Sequence, residues 1–497
     1  MMIAAPQLPS AFYRPSLALL TDLYELTMAY GYWKSRRADE EAVFHLFFRR
    51  HPFAGGFTVA CGLAYAIDWL RNLRFDENDL AYLATLDGAD GRLLFEPDFL
   101  RRLGQWEFAC DVDAIPEGTV VFPHEPLLRV QGPIWQAQII ESALLNSLNF
   151  QTLIATKAAR VCLAARGEPV LEFGLRRAQG IDGALAAARA AYVGGCEATS
   201  NVLAGRLFGI PVRGTHAHSW VMSFGGELES FQAYAEAMPN NCVFLVDTYD
   251  TLSGVRHAVE IGRWLRTQGH KLLGVRLDSG DLAYLSIEAR KILDEAGFND
   301  AVIVASSDLN ERLIASLKEQ HAAIGVWGVG THLVTAFDEP ALGGVYKLSA
   351  LRQPGGPWRR CVKLSEQAAK SSTPGILEVR RYELAGEAIG DMIYDVELGC
   401  GDTGDALIVD PQDDTRRKRI ASDAQGADLL TPVFRGGRLV YESPPLTAIR
   451  DRTRRQLECF SAGIKRFDNP HSYPAGLEPR LHELRKRLIL EARGFGS

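Results

Sequence analysis

VFLVD (243–247), GVRLD (274–278) and VIVAS (302–306) decide how this chain reads. Each is a short run of β-branched residues and leucine that ends on a small or acidic side chain, and each is followed by a helix-like stretch. Their starts lie 31 and 28 residues apart, the length of one βαβ unit. Runs this apolar, joined by crossovers, predict parallel strands buried on both faces. Outward from this core the same form recurs in PVLEF (169–173), IPVRG (210–214), GVWGV (325–329) and GVYKL (344–348). A closed (β/α) barrel is favoured over an open doubly wound sheet, because the polar residues after nearly every strand would then converge on one rim.

The flanks have a different character. SLALLTDLYELTMAYGYWK (16–34) places Leu19, Leu23, Leu26, Tyr30 and Trp33 at helical spacing, with Thr21, Asp22 and Glu25 as start signals. EAVFHLFFRR, HPFAGG and FTVACGLAYAIDWL follow as strand, turn, and strand running into helix, so the first hundred or so residues read as a mixed α/β unit. A long helix is expected over about 134–166. Beyond 349 the chain is rich in Gly, Pro and charge, and closes with a charged helical tail. The predicted domains are therefore 1–133, an N-terminal α/β domain; 134–349, the barrel; and 350–497, a segment that partly completes the N-terminal domain or covers the barrel.

The chain has 497 residues, 47% hydrophobic and 23% charged, enough for a large core and too long for a single ordinary domain. Its formal charge of −7 gives no reason to expect nucleic acid or acidic membranes as partners. Any polyanionic ligand must be held by local cations. Eight cysteines without a Cys-x-x-Cys pair suggest neither a zinc site nor a disulfide framework, and read as reduced thiols in the cytoplasm. The opening MMIAAPQLPSAFYRPS lacks a signal-like pattern, and no stretch reaches the roughly 18 apolar residues of a membrane span.

The strand ends carry the candidate chemistry. Asp247 in LVDTYD and Asp278 in VRLDSGD, with Arg276 before it and Asp281 after it, can bind ribose hydroxyls or hold Mg²⁺ through water. The alternative is that an aspartate there caps the next helix. SSDLNE (306–311) and GVGTH (328–332) each offer a small-residue turn before a helix start, suited to a phosphate monoester. EFGLRRAQG (172–180) brings an aromatic and two guanidinium groups; Phe173 can stack on a flat heteroaromatic ring while an arginine clamps a carboxylate or phosphate. GTHAHS (214–219) leaves three readings open: a metal pair, a nucleophile, or a helix cap with a buried histidine. The metal reading is disfavoured because His257, His270 and His321 fall away from strand ends, with only His332 near one.

Taken together, TDLYELTMAYGYW (21–33), FFRRHPFAGGFTVACGL (47–63), EFGLRRAQG, GTHAHS, VDTYD (246–250), RLDSGD (276–281), SSDLNE and GVGTHLVT (328–335) resemble the nicotinate phosphoribosyltransferase family, in order over most of residues 15–350. The resemblance implies an irregular (β/α) TIM-like barrel with an N-terminal α/β domain and an additional C-terminal segment. It implies joining nicotinate to phosphoribosyl pyrophosphate with coupled ATP hydrolysis, Mg²⁺ carried by the substrate phosphates, and a homodimer with shared active sites. By motif, His218 takes the γ-phosphate of ATP as a transient phosphohistidine, and Asp278 holds the ribose hydroxyls. Gly330 and Thr331 take the 5′-phosphate, Asp247 and Asp308 complete the polar rim, and Arg176 reaches phosphate or carboxylate. Phe173 stacks on the pyridine, opposed by Tyr24, which in related enzymes comes from the partner subunit. Thr215, Arg276, Ser279, Gly280 and Ser307 are the remaining substrate-binding positions. A nicotinamide-specific relative would share nearly every motif, but is expected to carry an acidic residue where this chain has Thr199-Ser200-Asn201. From another class, a metal-dependent barrel hydrolase or a non-catalytic nucleotide binder would leave the ordered set of motifs unexplained.

Overall fold

In the six-stranded parallel sheet that organises the middle of the chain, the order is Ala198–Thr199, Val170–Glu172, Val326–Val329, Val302–Ala305, Gly274–Leu277, Val243–Leu245. The computed structural model describes residues 17–365, 372–401 and 406–495; the opening sixteen residues read above lie outside them. The register keeps the strand ends level: Leu245 faces Arg276, Arg276 faces Val304, Val304 faces Val326, and Val329 faces Glu172. Phe244, Val275, Leu277, Ile303, Ala305, Trp327 and Val329 are buried, which is why these runs carry so few polar residues.

The crossover helices explain a spacing repeated in the sequence. Asp250 caps helix Thr251–Thr267 by accepting from Ser253 N–H (2.8 Å), and Asp281 caps Leu282–Glu295 through Tyr284 N–H (3.1 Å). In both D-x-x-D motifs the second aspartate is thus the helix cap, and the first is left at the strand end. Asn310 does the same for Glu311–Glu319, taking Arg312 and Leu313 N–H at 3.0 and 2.9 Å.

Two expectations about this sheet change. GVYKL does not join it; Val345–Arg352 pairs antiparallel with Glu41–Phe47. IPVRG contributes only an isolated parallel bridge between Val212 and Thr199, and the two-residue strand Ala198–Thr199 takes the edge position. Among the described residues no backbone ladder joins Val212 to Val243–Leu245, so the pairing observed is that of a six-stranded parallel sheet in a mixed α/β fold.

Residues 154–340 form one compact unit, and the described residues of 17–153 with those from 341 onward form another. The second unit has a seven-stranded antiparallel sheet in which Val345–Arg352 and Thr431–Arg435 flank Glu41–Phe47, Leu128–Pro133 and Asp111–Ala114. A further six-stranded sheet is built on Leu377–Leu384 and Glu387–Asp395, with buried Tyr382, Met392, Ile393 and Leu477. The expected long helix is two, Ile134–Ile139 and Glu141–Ala164. At the break the amide of Ser142 is taken by the Glu25 carboxylate at 2.9 Å.

A buried ionic cluster fixes the 311–319 helix in the parallel-sheet unit. Glu311 pairs with Lys157 Nζ at 2.7 Å and Arg160 Nε at 2.8 Å, and Lys157 also reaches Asp338 at 2.5 Å. Burial opposes the Glu311 charge, but the two cations more than offset it and hold its pKa below the usual carboxylate range. Its contribution is therefore present at neutral pH and lost as pH falls below about 4. Lys157→Met is expected to destabilise this unit by roughly 3 kcal/mol at pH 7, and by less in acid, in thermal or urea denaturation; an unchanged midpoint at pH 7 would refute the role of this cluster.

Candidate active site

Because the six strands run in one direction and end level, every residue that follows a strand lies along one edge of the sheet. Phe173 and Arg176 follow Val170–Glu172, Asp247 and Thr248 follow Val243–Leu245, and Asp278, Ser279 and Gly280 follow Gly274–Leu277. Ser306, Ser307 and Asp308 follow Val302–Ala305, and Gly330 and Thr331 follow Val326–Val329. Thr215, His216 and His218 follow the Val212 bridge.

Asp278 is the junction of this edge. Its Oδ1 accepts from Ser306 Oγ at 2.6 Å, and its Oδ2 lies 3.8 Å from His218 Nε2. The backbone beneath it is held by Asp247, whose Oδ2 accepts from Asp278 N–H (3.0 Å) and Ser279 Oγ (2.6 Å). Asp247 Oδ1 is buried and has no hydrogen-bond partner. Gly280, at φ +81°, makes the turn that lets Asp281 begin the next helix. Two residues before Asp278, Arg276 Nη1 donates to Thr215 Oγ1 at 2.6 Å. Burial lowers the Arg276 pKa, while the charges of Asp278 and Asp247 support its protonated form and that of Arg176 opposes it.

His218 sits at the start of the short helix His218–Met222, half-buried, with Nδ1 at 3.1 Å from Thr248 Oγ1. Thr248 was not legible as a site residue; the only hint is its place one residue past Asp247 in VDTYD. The second imidazole, His216, is buried, and its Nε2 accepts from Leu245 N–H at 3.3 Å. The two histidines therefore face different neighbours and do not form a metal pair.

At the other end of the edge, Phe173 lies across Gly328. A β-carbon at 328 would meet the Phe173 ring at 2.7 Å and Ser306 Cβ at 3.2 Å, so the missing side chain is what lets the ring settle beside the Asp278–Ser306 pair. Phe173 N–H donates to Val329 O at 2.8 Å. Beneath it Glu172, fully buried, accepts from Gly174 N–H and from Thr199 Oγ1 (2.5 Å), and burial raises its pKa. Arg176 is exposed, as is Asp308; Ser307, Gly330 and Thr331 are half-buried. Tyr24 belongs to the other unit, exposed on helix Leu23–Lys34.

The edge thus offers an aromatic face, a carboxylate bound to a hydroxyl and near an imidazole, two guanidinium groups, and small-residue turns where backbone can approach an anion. If Gly328 is there to admit the ring, Gly328→Ala should cost about 1–3 kcal/mol by overpacking. In a Phe173→Ala background the same change should cost much less, as read by thermal denaturation of the four proteins; equal costs in both backgrounds would contradict the contact.

Comparison with known proteins gives the family. Residues 19–149 match the nicotinate phosphoribosyltransferase N-terminal domain, 169–373 the family proper, and 378–485 its C-terminal domain. Nicotinate phosphoribosyltransferase of Bacillus subtilis is 42% identical over 96% of this chain and 98% of its own length. The Homo sapiens protein of that name is 35% identical over 97% and 98%. The crystal structure of human nicotinic acid phosphoribosyltransferase superposes with a TM-score of 0.82 at 32% identity, covering 94% of this chain and 99% of that one. The chain belongs to the nicotinate phosphoribosyltransferase family.

Proposed function

We propose that this enzyme joins nicotinate to phosphoribosyl pyrophosphate at the carboxyl edge of the parallel sheet, giving nicotinate mononucleotide and pyrophosphate in the salvage of nicotinate for NAD. The observation that carries the reading is the run of neighbours from the Phe173 ring past Gly328 and Ser306 to Asp278, with His218 Nε2 3.8 Å from the Asp278 carboxylate. It provides, side by side, a stacking face for a pyridine, a carboxylate for ribose hydroxyls, and an imidazole.

In this reading the pyridine nitrogen forms the new bond to the anomeric carbon as the bond to pyrophosphate breaks, and the leaving group takes the electron pair. Positive charge grows on the sugar, so orientation and the Asp278 carboxylate matter more than a general base. Arg176 meets phosphate or carboxylate, with Thr215, Arg276, Ser279, Gly280, Ser307 and Asp308 lining the edge, and Gly330 and Thr331 receive the 5′-phosphate. Magnesium suits the unpartnered Asp247 Oδ1, since a hydrated Mg²⁺ takes one or two carboxylates together with substrate phosphates. When bound it supplies neutralising charge at the pyrophosphate.

ATP phosphorylates His218 in the same reading. With Nδ1–H donating to Thr248 Oγ1, the lone pair lies on Nε2, on the Asp278 side. Nε2 attacks the γ-phosphorus, the bond to the bridging oxygen breaks, and ADP leaves; water later discharges the phosphoimidazole to inorganic phosphate. Nicotinate is preferred over nicotinamide because Thr199 is committed to Glu172 and Asn201 to the Ala204 amide. Ser200 and the unpartnered Asn201 Nδ2 are thus what that stretch leaves to the ligand, and neither carries a charge.

The finer features follow from the same reading. A (β/α) barrel is supported by the His216–Leu245 hydrogen bond, which spans the gap in the ladder. A homodimer with shared sites is supported by the exposed apolar residues Leu20, Leu23, Tyr24 and Met28. A cytoplasmic setting is supported by eight cysteines of which none is in a disulfide. No helix among the described residues is long and apolar enough to cross a membrane.

Assays with phosphoribosyl pyrophosphate and Mg²⁺ should give product from nicotinate and not from nicotinamide, and more of it with ATP. Asp278→Ala should lower kcat by about 10²-fold or more, and His218→Ala should lose the ATP stimulation. Equal turnover of nicotinamide, or full stimulation of His218→Ala, would contradict the reading.

A further inference from the structure

His216 is a histidine that the reaction leaves without a task. Its ring is 8% exposed and lies among Tyr234, Phe231 and Phe244, with ring centroids 5.0, 6.0 and 6.3 Å away. Its polar contacts are specific. Strand Val243–Leu245 is the sheet edge, and Val246 N–H points inward to Arg276 O at 3.2 Å. Neighbouring amides in a strand alternate in direction, so Leu245 N–H points outward to the open edge, where a buried donor must find an acceptor. His216 Nε2 takes it at 3.3 Å.

To accept there, the ring must be neutral with its proton on Nδ1, which faces Ala217 O at 3.5 Å. Burial favours that form and pulls the His216 pKa down to about 4, against the raising effect of the Ala217 carbonyl. The imidazole therefore takes the place of the next strand's carbonyl, and it does so on a loop whose two neighbouring anchors are side-chain contacts. Thr215 is tied to Arg276 at 2.6 Å, and His218 to Thr248 at 3.1 Å. His216 alone of the three ties the loop to backbone.

We propose that His216 is a positioning residue: its hydrogen bond to the Leu245 amide seats the 215–218 loop on the edge strand and so sets the direction in which the His218 imidazole faces Asp278. The functional consequence rests on the reading of His218 as phosphoryl acceptor; the geometric one does not. Without the acceptor, the Leu245 amide is left unpaired in an apolar surround and the loop is free to shift. A shift of an ångström or so at a nucleophile is enough to cost orders of magnitude in rate.

The test compares wild type, His216→Leu, which fills the aromatic surround without an acceptor, and His216→Gln, whose amide oxygen can stand where Nε2 stands. In His216→Leu the rate with ATP relative to that without should fall by about tenfold or more through kcat, with a smaller change in KM for ATP. His216→Gln should recover most of it. Ring ¹⁵N spectra should show the His218 signals displaced in His216→Leu and returned in His216→Gln. Undisplaced signals, or ATP stimulation retained by His216→Leu, overturn the proposal. If wild type shows no ATP stimulation, the phosphoryl reading fails and the His218 signals decide the positioning role by themselves. If His216→Leu does not fold, the wild-type ring spectrum decides: a hydrogen-bonded Nε2 without a proton between pH 6 and 8 is expected, and a proton on Nε2 overturns it.

Discussion

Asp278 accepts from the Ser306 hydroxyl through Oδ1 and has His218 Nε2 3.8 Å from Oδ2, and the site exists because three separate segments reach that one group. The level strand ends of the parallel sheet deliver Asp278 and Ser306 there, and the loop after the Val212 bridge brings His218. Arg276 sits in register with Leu245 on one side and Val304 on the other, so each strand releases its chain at the same height. A slip of one residue in any pairing would turn the strand-end side chain to the opposite face. The apolar burial of Val275, Ile303 and Trp327 holds the register, and the register assembles the chemistry.

Three loops on this edge have a polar group beneath them that binds backbone. Glu172 binds the Gly174 amide under the Phe173 turn, and Asp247 binds the Asp278 amide under the next. Asn310 caps the helix after Ser306–Asp308, and that helix is fixed in turn by the Glu311 cluster. Where such a group is buried, as Glu172 and Glu311 are, leaving it unsatisfied is costly, which holds the loop to the conformation that satisfies it. A rim built this way presents dipoles and charges already oriented, the condition under which they stabilise a developing charge without reorganising.

Much of this was legible in the sequence, for a physical reason. Strand-end residues follow apolar runs directly, so Asp247, Asp278, Ser306 and Gly330 could be placed on one edge by local pattern alone. The ambiguity between cap and ligand dissolves once Asp250 and Asp281 are seen to be the caps. What stayed hidden is non-local. GVYKL is as apolar as its neighbours, yet its partner is Glu41–Phe47, some three hundred residues away, and nothing in its composition says so. Ala198–Thr199 is too short to carry a period. Thr248 and His216 take their meaning from which atom faces them, and the first histidine of a His-x-His pair reads the same whether it binds metal, catalyses or supports a backbone amide.

The central claim is that nicotinate and the phosphoribosyl group meet on the Phe173–Asp278–Gly330 edge. A crystal structure with bound nicotinate mononucleotide tests it most directly. The account predicts the pyridine ring against Phe173, the ribose hydroxyls within hydrogen-bond reach of Asp278, and the 5′-phosphate at Gly330 and Thr331. A nucleotide bound elsewhere, or one whose ribose turns away from Asp278, would contradict it.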